Sequence, residues 1–507
     1  MTAPRTLHAL LRAAGLAAPQ TLADVALTGL KTDSRAVTAG DAFIALRGAK
    51  LDGTAFAADA AARGASALLI ESADDDALRA GIFANLPAVW IPALRIRTGP
   101  LFDAWHGAPS QALDFYGVTG TNGKSTTVLL MTAVLRAAGR RVVSLGTIRY
   151  QIGDTVLDST LTTPSTESFY DLLGRGVADG CDAVAMEVSS HALSQDRVKG
   201  VTFARALFTN LTQDHLDFHD GFEDYFAAKK RLFTEYLKAD GVGIVNLDAP
   251  YGVRLLEEWK GARLTFSRGE TPEGRRADLV VRGATLALEG TTLALEYRGA
   301  AFTVTSRLVG AINIENLLAA TAFGLSLGLA PETVARGIAD VVVPGRNEIF
   351  PVPAAGAGDA FAVVDYAHTP DALERVLASL RALTPGQLHV VFGCGGDRDR
   401  GKRPLMGAIA ERLADRVILT SDNPRSEDPQ AILKEIRDGM GDPDTTLVIP
   451  DRREAIHAGL RGLAAGDCLL VAGKGHEDYQ ILPTGKIHFS DQDEIVQWAA
   501  AAPKAGA

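Results

Sequence analysis

The chain has 507 residues, of which 47% are hydrophobic, and this length allows about three domains of ordinary size. A formal net charge of −10 argues against a nucleic-acid-binding protein, which needs clustered lysine and arginine. The three cysteines lack metal-ligand spacing, and no apolar run is long enough for a membrane span or a signal-peptide core. We therefore expect a soluble cytoplasmic enzyme, with a monomer as the default assembly.

Residues 1–108 predict a small α/β domain. Three apolar runs have the composition of buried strands: 42–46, 67–70 and 88–91. A helical pattern at 54–63 lies between two of them. The polar segments 32–35 and 48–53 fall in loops beside the strands. Because Ser, Asp and Gly are common turn residues, these segments are consistent with plain turns as well as with ligand contacts.

The motif with the clearest chemistry is at 117–127, after an apolar run that predicts a strand and before a helical pattern. Its sequence Gly-Val-Thr-Gly-Thr-Asn-Gly-Lys-Ser-Thr-Thr puts glycines in a strand-to-helix turn, where backbone N–H groups can bind a polyphosphate. Lys124 would supply a cation for the outer phosphates, and Ser125 or Thr126 a hydroxyl for Mg²⁺. A plain turn is the alternative, but Lys-Ser-Thr-Thr at this position favours an ATP site.

Residues 109–342 alternate strand and helix patterns, as in a doubly wound parallel sheet. The predicted strands are 114–119, 142–146, 183–188, 205–209 and 242–246. Polar clusters follow three of these strands, at 186–191, 209–217 and 246–248. Glu187 and His215 are suitable types for a Mg²⁺ shell, although Mg²⁺ prefers oxygen ligands and histidine is the less usual partner. Each cluster alone could equally cap a helix or lie in a solvated loop.

Two later segments of this region carry less specific patterns. Residues 225–233 predict an amphipathic helix, on which Lys229 and Lys230 would by default form a solvated face. Residues 266–307 predict antiparallel strands. The apolar runs of those strands are 279–281, 286–288 and 293–295.

Residues 343–507 predict a second doubly wound sheet, without a phosphate loop of its own. The predicted strands are 361–366, 388–393, 416–420, 446–449 and 468–472, each followed by a helical pattern. Polar clusters again follow strands, at 365–370, 393–399, 422–425 and 473–477. The glycines at 393–396 lack the Gly-x-Gly-x-x-Gly spacing, so we reject a dinucleotide fingerprint there.

These motifs resemble the Mur ligase family of bacterial cell-wall synthesis, in the same order along nearly the whole chain. The matching segments are 32–35, 117–127, 186–191, 214–217, 365–370, 393–404 and 471–480. The resemblance implies a three-domain α/β architecture. It implies a UDP-sugar-binding domain at 1–108, a central ATP-binding P-loop domain with a doubly wound sheet at 109–342, and a C-terminal Rossmann-like amino-acid-binding domain at 343–507. It also implies domains that close on their substrates.

The resemblance implies a role for each matching residue. ATP contacts are Gly120, Thr121, Asn122, Gly123, Lys124, Ser125, Thr126, Asn313, Asn316 and Arg346. Contacts to the UDP-muramoyl-dipeptide are Thr32, Ser34, the loop 49–51, Thr162, Thr163, Ser189, Gln195 and Arg197. Amino-acid contacts are Arg398, Asp422, Asn423, Pro424, Arg425, Gly473 and Glu477. Ser125, Glu187 and His215 match the metal shell, and Lys229 matches a lysine carried as a carbamate, an anion that can help hold a second Mg²⁺.

The implied reaction joins a diamino acid to the D-glutamyl residue of UDP-N-acetylmuramoyl-L-alanyl-D-glutamate for peptidoglycan, using ATP and Mg²⁺, through an acyl phosphate. The catalytic residues would be Lys124, Glu187, His215 and Lys229. Arg425 offers a bidentate donor for the second carboxylate of meso-diaminopimelate, which lysine and ornithine lack. This one position favours diaminopimelate without excluding the other two amino acids.

The sequence departs from the family pattern at two positions, and two alternative functions stay open. Leu161 stands where some relatives have asparagine, and Ala249 stands where a second acid is often found. A folylpolyglutamate synthetase would share the phosphate loop, but the leading 100 residues or so and Arg425 argue against it. A regulatory ATPase module would hydrolyse ATP without an amino-acid acceptor.

Overall fold

The computed structural model describes residues 5–47, 52–71, 86–212, 218–269, 274–354 and 358–501. The chain divides into two compact units. The first comprises Met1–Val280, Tyr297–Gly299 and Glu315–Gly337, and the second comprises Val281–Glu296, Ala300–Ile314 and Ile338–Ala507. Within the described residues, no helix has the length and apolar character that crossing a membrane requires.

The first unit begins with a four-stranded parallel sheet in the order β1-β2-β3-β4. Its strands are β1 (Leu30–Lys31), β2 (Ala42–Ala45), β3 (Ala67–Ile70) and β4 (Ala88–Trp90), and the helices here are α1 (Leu7–Ala13), α2 (Ala57–Ala62) and α3 (Leu94–Trp105). The three predicted strands are confirmed. The predicted helix is shorter than expected, because Asp52 Oδ1 accepts from Thr54 N at 2.9 Å and fixes residues Gly53–Phe56 as a 3₁₀ turn.

The central sheet of the first unit has the order β13-β12-β11-β10-β5-β9-β6-β7-β8. Its strands are β5 (Asp114–Thr119), β6 (Val142–Leu145), β7 (Tyr150–Ile152), β8 (Thr155–Leu157), β9 (Ala183–Glu187), β10 (Phe203–Phe208), β11 (Leu237–Asn246), β12 (Arg263–Ser267) and the first two residues of β13 (Leu279–Ala287). Pairing is parallel from β13 to β6 and antiparallel through β7 and β8. The five predicted strands are confirmed, although β11 begins earlier, at Leu237.

The position of β5 fixes where a ligand can bind in this sheet. Later strands lie on both sides of it, so the strand order reverses at β5, and open α/β sheets bind ligands at the carboxyl ends of such strands. The helices that follow are α4 (Lys124–Ala137), α5 (Thr166–Ala178), α6 (Ser190–Ser194), α7 (Phe222–Thr234) and α8 (Pro250–Glu258).

The second unit contains a three-stranded segment and the C-terminal sheet. The segment comprises β13 from Val281 onward, β14 (Gly290–Tyr297) and β15 (Ala300–Ser306). The prediction of separate strands at 279–281 and 286–288 is wrong, because residues 279–287 form one strand, β13. The chain turns at 288–289, between β13 and β14, and again between β14 and β15 at Arg298 and Gly299, whose φ angles of 49° and 89° suit a tight turn. Two helices, α9 (Ile312–Ser326) and α10 (Pro331–Ala339), follow β15, and most of both belongs to the first unit.

The C-terminal sheet has the order β16-β17-β21-β18-β19-β20 and is parallel except for β16. Its strands are β16 (Glu348–Pro353), β17 (Asp359–Asp365), β18 (Leu388–Phe392), β19 (Arg416–Leu419), β20 (Leu447–Val448) and β21 (Cys468–Ala472). Its helices are α11 (Pro370–Arg381), α12 (Lys402–Leu413), α13 (Pro429–Arg437), α14 (Arg452–Arg461) and α15 (Asp491–Ala501). The five predicted strands are confirmed, but β16 and the hairpin of β22 (Tyr479–Leu482) and β23 (Gly485–His488) were not predicted.

Candidate active site

The glycine-rich loop joins β5 to α4. Gly120 and Gly123 have φ angles of 148° and 83°, which side-chain-bearing residues rarely adopt. A Cβ on Gly120 would lie 1.9 Å from Thr209 Oγ1, and a Cβ on Gly123 would lie 2.4 Å from Asn316 Oδ1. Glycine is therefore required at both positions for two reasons, the backbone conformation and the close approach of a neighbour.

The cation and hydroxyl groups of the loop lie at the start of α4. Lys124 is the first residue of this helix, and Ser125 and Thr126 lie in its first turn, where free N–H groups and the helix dipole favour anions. Lys124 Nζ donates to Gly120 O at 3.1 Å and to Thr121 O at 2.8 Å. The loop thus gathers N–H donors, one cation and two hydroxyls, the groups that bind a polyphosphate.

Residues at the end of β10 hold the loop in shape. Thr121 N donates to Asn210 O, and Asn122 N donates to Asn210 Oδ1, both at 2.9 Å. Thr209 Oγ1 donates to Asn122 O at 2.7 Å. The sequence did not assign these roles to Thr209 and Asn210. The one sequence feature that could have indicated these roles is the position of both residues at the end of a predicted strand.

Lys229 is buried beneath the loop, with an exposed fraction of 1%. Its Nζ donates to Gly120 O at 2.6 Å and lies 4.4 Å from the centre of the Tyr225 ring. The default prediction of a solvated face is wrong for this residue. It holds for Lys230, which pairs with Glu258 at 2.5 Å near the surface. Successive helix residues point about 100° apart, so one lysine faces inward and the next outward.

A second group of polar residues surrounds the end of β9. Glu187 has an exposed fraction of 1%, and its Oε1 accepts from Thr147 N at 2.7 Å. Thr147 Oγ1 lies 3.0 Å from Thr162 Oγ1. Thr163 Oγ1 donates to Glu187 O at 2.8 Å and accepts from Ser189 N at 3.0 Å. The structure thus brings together four residues that the sequence predicted for the site, Glu187, Thr162, Thr163 and Ser189. It adds Thr147, which the sequence did not indicate.

Gln195 and Arg197 extend this group. Arg197 donates to Gln195 Oε1 from Nε at 2.9 Å and from Nη2 at 2.7 Å. Its Nη1 donates to Thr163 O at 3.1 Å. Burial lowers the pKa of Arg197. The cation contacts the backbone of Thr163, one of the residues predicted to bind the muramoyl-dipeptide.

The oxygen donors predicted for Mg²⁺ are only partly within the described chain. Ser125 offers a hydroxyl and Glu187 a buried carboxylate, which are the ligand types that Mg²⁺ accepts. His215 lies outside the described residues. In the ranges that are described, no three His, Cys, Asp or Glu residues form a cluster that could hold a metal.

The predicted UDP contacts lie beside β1. Thr32 N and Oγ1 both lie 3.3 Å from Glu167 Oε2, and Lys31 Nζ pairs with Glu167 Oε1 at 2.9 Å. Ser34 is buried at the start of a 3₁₀ turn. The predicted loop 49–51 lies outside the described residues. Glu167, which orients Thr32, was not predicted.

The predicted amino-acid contacts converge in the second unit, after β18, β19 and β21. Gly473 has a φ of 117°, and a Cβ there would lie 2.6 Å from Asp422 Oδ2. Asn423 Nδ2 donates to Glu477 Oε2 at 3.0 Å. Asp422 and Glu477 therefore place two carboxylates in one pocket, with Asn423 between them.

Two arginines approach the same pocket. Arg425 has a φ of 52°, and its Nη1 donates to Gly396 O at 2.8 Å. Arg425 and Arg398 both lie beside Gly395, where a Cβ would meet them at 2.9 and 3.6 Å. Pro424 O lies against Gly396. The structure therefore brings all the predicted amino-acid contacts to one end of the C-terminal sheet.

One buried residue of this pocket was not predicted. Lys474 has a fully buried side chain, and its Nζ lies 3.4 Å from Glu477 Oε2 and donates to Tyr479 O. Burial lowers the pKa of Lys474. The Lys474 ammonium therefore forms an ion pair with the Glu477 carboxylate, one of the two carboxylates of the pocket.

Two predicted ATP contacts lie in the second unit. The Arg346 guanidinium lies 4.8 Å from the centre of the Tyr366 ring, a cation–π contact. Asn313 Nδ2 donates to Val309 O at 2.8 Å, near the start of α9. The third, Asn316, is in the first unit against Gly123, as described above.

Three family models match successive segments of the chain. The Mur ligase family catalytic domain matches residues 26–96, the Mur ligase middle domain matches 118–324, and the Mur ligase glutamate ligase domain matches 345–475. The middle-domain match contains the glycine-rich loop, and the glutamate-ligase match contains most of the amino-acid pocket.

Known proteins match over most of the chain. The UDP-N-acetylmuramoyl-L-alanyl-D-glutamate–2,6-diaminopimelate ligase of Solibacter usitatus is 45% identical over 483 residues, which are 93% of each chain. A solved structure of an enzyme with that name is 34% identical with a TM-score of 0.70, over 94% of this chain and 95% of that one. A Mycobacterium tuberculosis folylpolyglutamate synthase complexed with ADP and AMPPCP is 18% identical with a TM-score of 0.55, over 75% of this chain and 92% of that one, and shares the fold. The chain belongs to the Mur ligase family.

Proposed function

We propose that this chain is the ATP-dependent ligase that joins meso-diaminopimelate to the D-glutamyl residue of UDP-N-acetylmuramoyl-L-alanyl-D-glutamate for peptidoglycan synthesis. The single observation that carries the proposal is the 45% identity, over 93% of both chains, to a relative with that name. The pocket chemistry supports it independently. The cytoplasm supplies both ATP and the UDP-linked precursor, so we place the reaction there.

The chain supplies positioning and charge rather than a nucleophile. The γ-phosphate of ATP passes to the side-chain carboxylate of D-glutamate, giving ADP and an acyl phosphate. The amine of the amino acid then attacks the acyl carbon, loses a proton, and expels phosphate from the tetrahedral intermediate. Lys124 and the loop N–H groups would stabilise the negative charge on the phosphoryl oxygens during the first step.

Ser125 and Glu187 would hold Mg²⁺ through oxygen atoms, and a carbamate on Lys229 would add a third oxygen ligand. The bound ion would neutralise charge on the phosphates. The buried position of Lys229 supports the carbamate, since Lys124 and Lys229 both donate to Gly120 O. Two ammonium groups at one carbonyl repel each other, and a carbamate replaces one cation with an anion.

The amino-acid pocket matches the charges of diaminopimelate. This substrate carries two carboxylates and two ammonium groups, and the pocket offers Arg398 and Arg425 with Asp422 and Glu477. Arg425 would bind the distal carboxylate with its planar guanidinium. Lysine and ornithine lack this carboxylate and would leave the Arg425 cation without its partner.

Phosphate release from ATP, measured with and without the UDP-muramoyl-dipeptide and each of the three diamino acids, tests the proposal. We expect release only when both acceptor and amine are present, with diaminopimelate preferred. Release without an amino acid would indicate an ATPase module instead. If lysine or ornithine were used as well as diaminopimelate, the ligase activity would be supported but the assignment of diaminopimelate as the substrate would be contradicted.

A further inference from the structure

Arg452 and Asp491 form an ion pair in the second unit, and neither residue is among those assigned to the site above. Both side chains are 0% exposed. Arg452 Nε donates to Asp491 Oδ1 and Nη2 donates to Asp491 Oδ2, each at 2.7 Å. Arg452 begins α14 and Asp491 begins α15, so the pair joins the first turns of two helices.

The same guanidinium reaches the strand ends that carry the amino-acid pocket. Its Nη2 also donates to Ala472 O at 3.1 Å, and its Nη1 donates to Ser421 O at 3.4 Å. Ala472 is the last residue of β21 and precedes Gly473, while Ser421 precedes Asp422. One cation therefore binds the carbonyl groups directly before two pocket residues.

The separation of these two strand ends decides the shape of the pocket. Asp422 Oδ2 lies only 2.6 Å from the position that a Cβ on Gly473 would occupy, so the two segments approach closely. Asn423 donates to Glu477 across the same gap. A small change in spacing would therefore move the Asp422 and Glu477 carboxylates relative to each other.

A buried charge pair is weak evidence for a purely stabilising role, because apolar replacements of such pairs are often neutral or stabilising. We propose that Arg452, oriented by Asp491, is a positioning residue for the amino-acid pocket. It fixes the distance between the segments 421–423 and 472–477. This inference rests on the proposed function, since it assigns the pocket to the incoming amino acid.

Arg452→Lys and Asp491→Asn test the proposal. Lysine keeps the charge but cannot bind a carboxylate and two carbonyls with one planar group. We expect each variant to raise KM for diaminopimelate about tenfold or more, because misplaced positioning groups cost up to about a hundredfold. KM for ATP and for the UDP-muramoyl-dipeptide should stay within about twofold of wild type. Melting temperatures of the full-length variants verify folding.

Arg381→Lys is the matched control. Arg381 donates to Asp415 Oδ2 at 2.6 Å and to Thr384 O at 2.8 Å, at the amino ends of β18 and β19. It makes the same kinds of contact, to a carboxylate and to carbonyls, at the opposite end of the same sheet, but its side chain is 36% exposed. We therefore expect unchanged KM values and at most a small fall in melting temperature.

Four results would overturn the positioning role. These are an unchanged KM for diaminopimelate in both folded variants, an equal rise in all three KM values, the same effect in Arg381→Lys, and loss of folding in both test variants. A wild-type protein that ligates no diamino acid would overturn the proposed function and this role together. Normal wild-type ligation with unaffected variants would overturn the positioning role alone.

Discussion

Arg425 combines a left-handed backbone with a side chain held by a loop carbonyl. Its φ of 52° is costly for a residue with a Cβ, and its Nη1 donates to Gly396 O at 2.8 Å. That hydrogen bond uses one end of the guanidinium. We propose that the rest of the planar group faces the distal carboxylate of the substrate.

Arg425→Ala should weaken diaminopimelate use far more than lysine use. Hydrogen bonds to charged groups contribute about 1.5–3 kcal/mol, so kcat/KM for diaminopimelate should fall at least about tenfold. Steady-state kinetics with both amino acids measures the ratio. Arg400→Ala is the control, because Arg400 is exposed and pairs with Glu435. An equal loss with both amino acids would remove the specificity role.

Lys229→Ala should abolish most turnover, and added formate or acetate should restore part of it. A short carboxylate can occupy the space of the missing carbamate and supply its oxygen ligands. Lys230→Ala should keep normal turnover without any carboxylate, since Lys230 faces outward to Glu258. Mass spectrometry of the wild type under carbon dioxide should show the modified lysine. No rescue and no modification would contradict the carbamate.

At the scale of elements, the turn from β5 to α4 leaves no space for a side chain at Gly120. Gly120→Ala would force a Cβ to within 1.9 Å of Thr209 Oγ1 at a φ of 148°. We expect loss of ATP-dependent phosphate release. Gly139→Ala is the control, because Gly139 has a φ of 80° with nothing within 4 Å of its Cβ position. It should cost about 1–2 kcal/mol of stability and leave turnover intact. If Gly120→Ala turned over ATP as fast as Gly139→Ala, the shape of the loop would not be required for catalysis.

The loop after β18 is fixed to α12 and α13 by a buried arginine. Arg403 is 0% exposed and binds Glu427 at 2.9 Å, Glu435 at 2.6 Å and Gly395 O at 3.1 Å. Glu427 also accepts from Asp397 N at 2.5 Å. The hydrogen bonds from Arg403, and next those from Asp397, lower the pKa of Glu427 from 4.5 to about 2.

This network predicts a pH dependence of stability. A carboxyl group with a lowered folded-state pKa stabilises the protein above pH 4.5, and this contribution is lost as the pH falls through about 2. Glu427→Gln should therefore lose about 1.5–3 kcal/mol near neutral pH, with the difference from wild type shrinking in acid. Glu374→Gln, in the exposed pair with Arg412, should change little at any pH. Thermal unfolding over a pH series measures both, and a constant difference for Glu427→Gln would contradict the assignment.

At the scale of the whole molecule, the residues proposed for the two half-reactions lie in different units. The loop 117–127 and Glu187 belong to the first unit, and the amino-acid pocket belongs to the second. Arg425→Ala should therefore keep acyl-phosphate formation, trapped by hydroxylamine as a hydroxamate, while Lys124→Ala should lose it. Loss of trapping in both variants would show that the steps do not separate in this way.

The sequence by itself determined most strands of three sheets, although not β1, β7, β8 or β12, and it determined the loop 117–127. Both depend on local information, because buried strands are short apolar runs and a phosphate loop is a fixed order of glycine, lysine and hydroxyl residues. Antiparallel β16 and the β22–β23 hairpin escaped prediction. Their composition is mixed, since β16 contains two prolines and β23 is exposed along its whole length.

Only the tertiary structure decided which side chains meet. Lys229 and Lys230 are adjacent in sequence, yet one is buried against Gly120 O and the other pairs near the surface. Thr147 reaches Glu187, and Arg452 reaches Asp491, across about 40 residues of chain in each case. Such contacts depend on which element packs against each helix face and on strand ends converging at one edge of a sheet, and residues distant in sequence decide both.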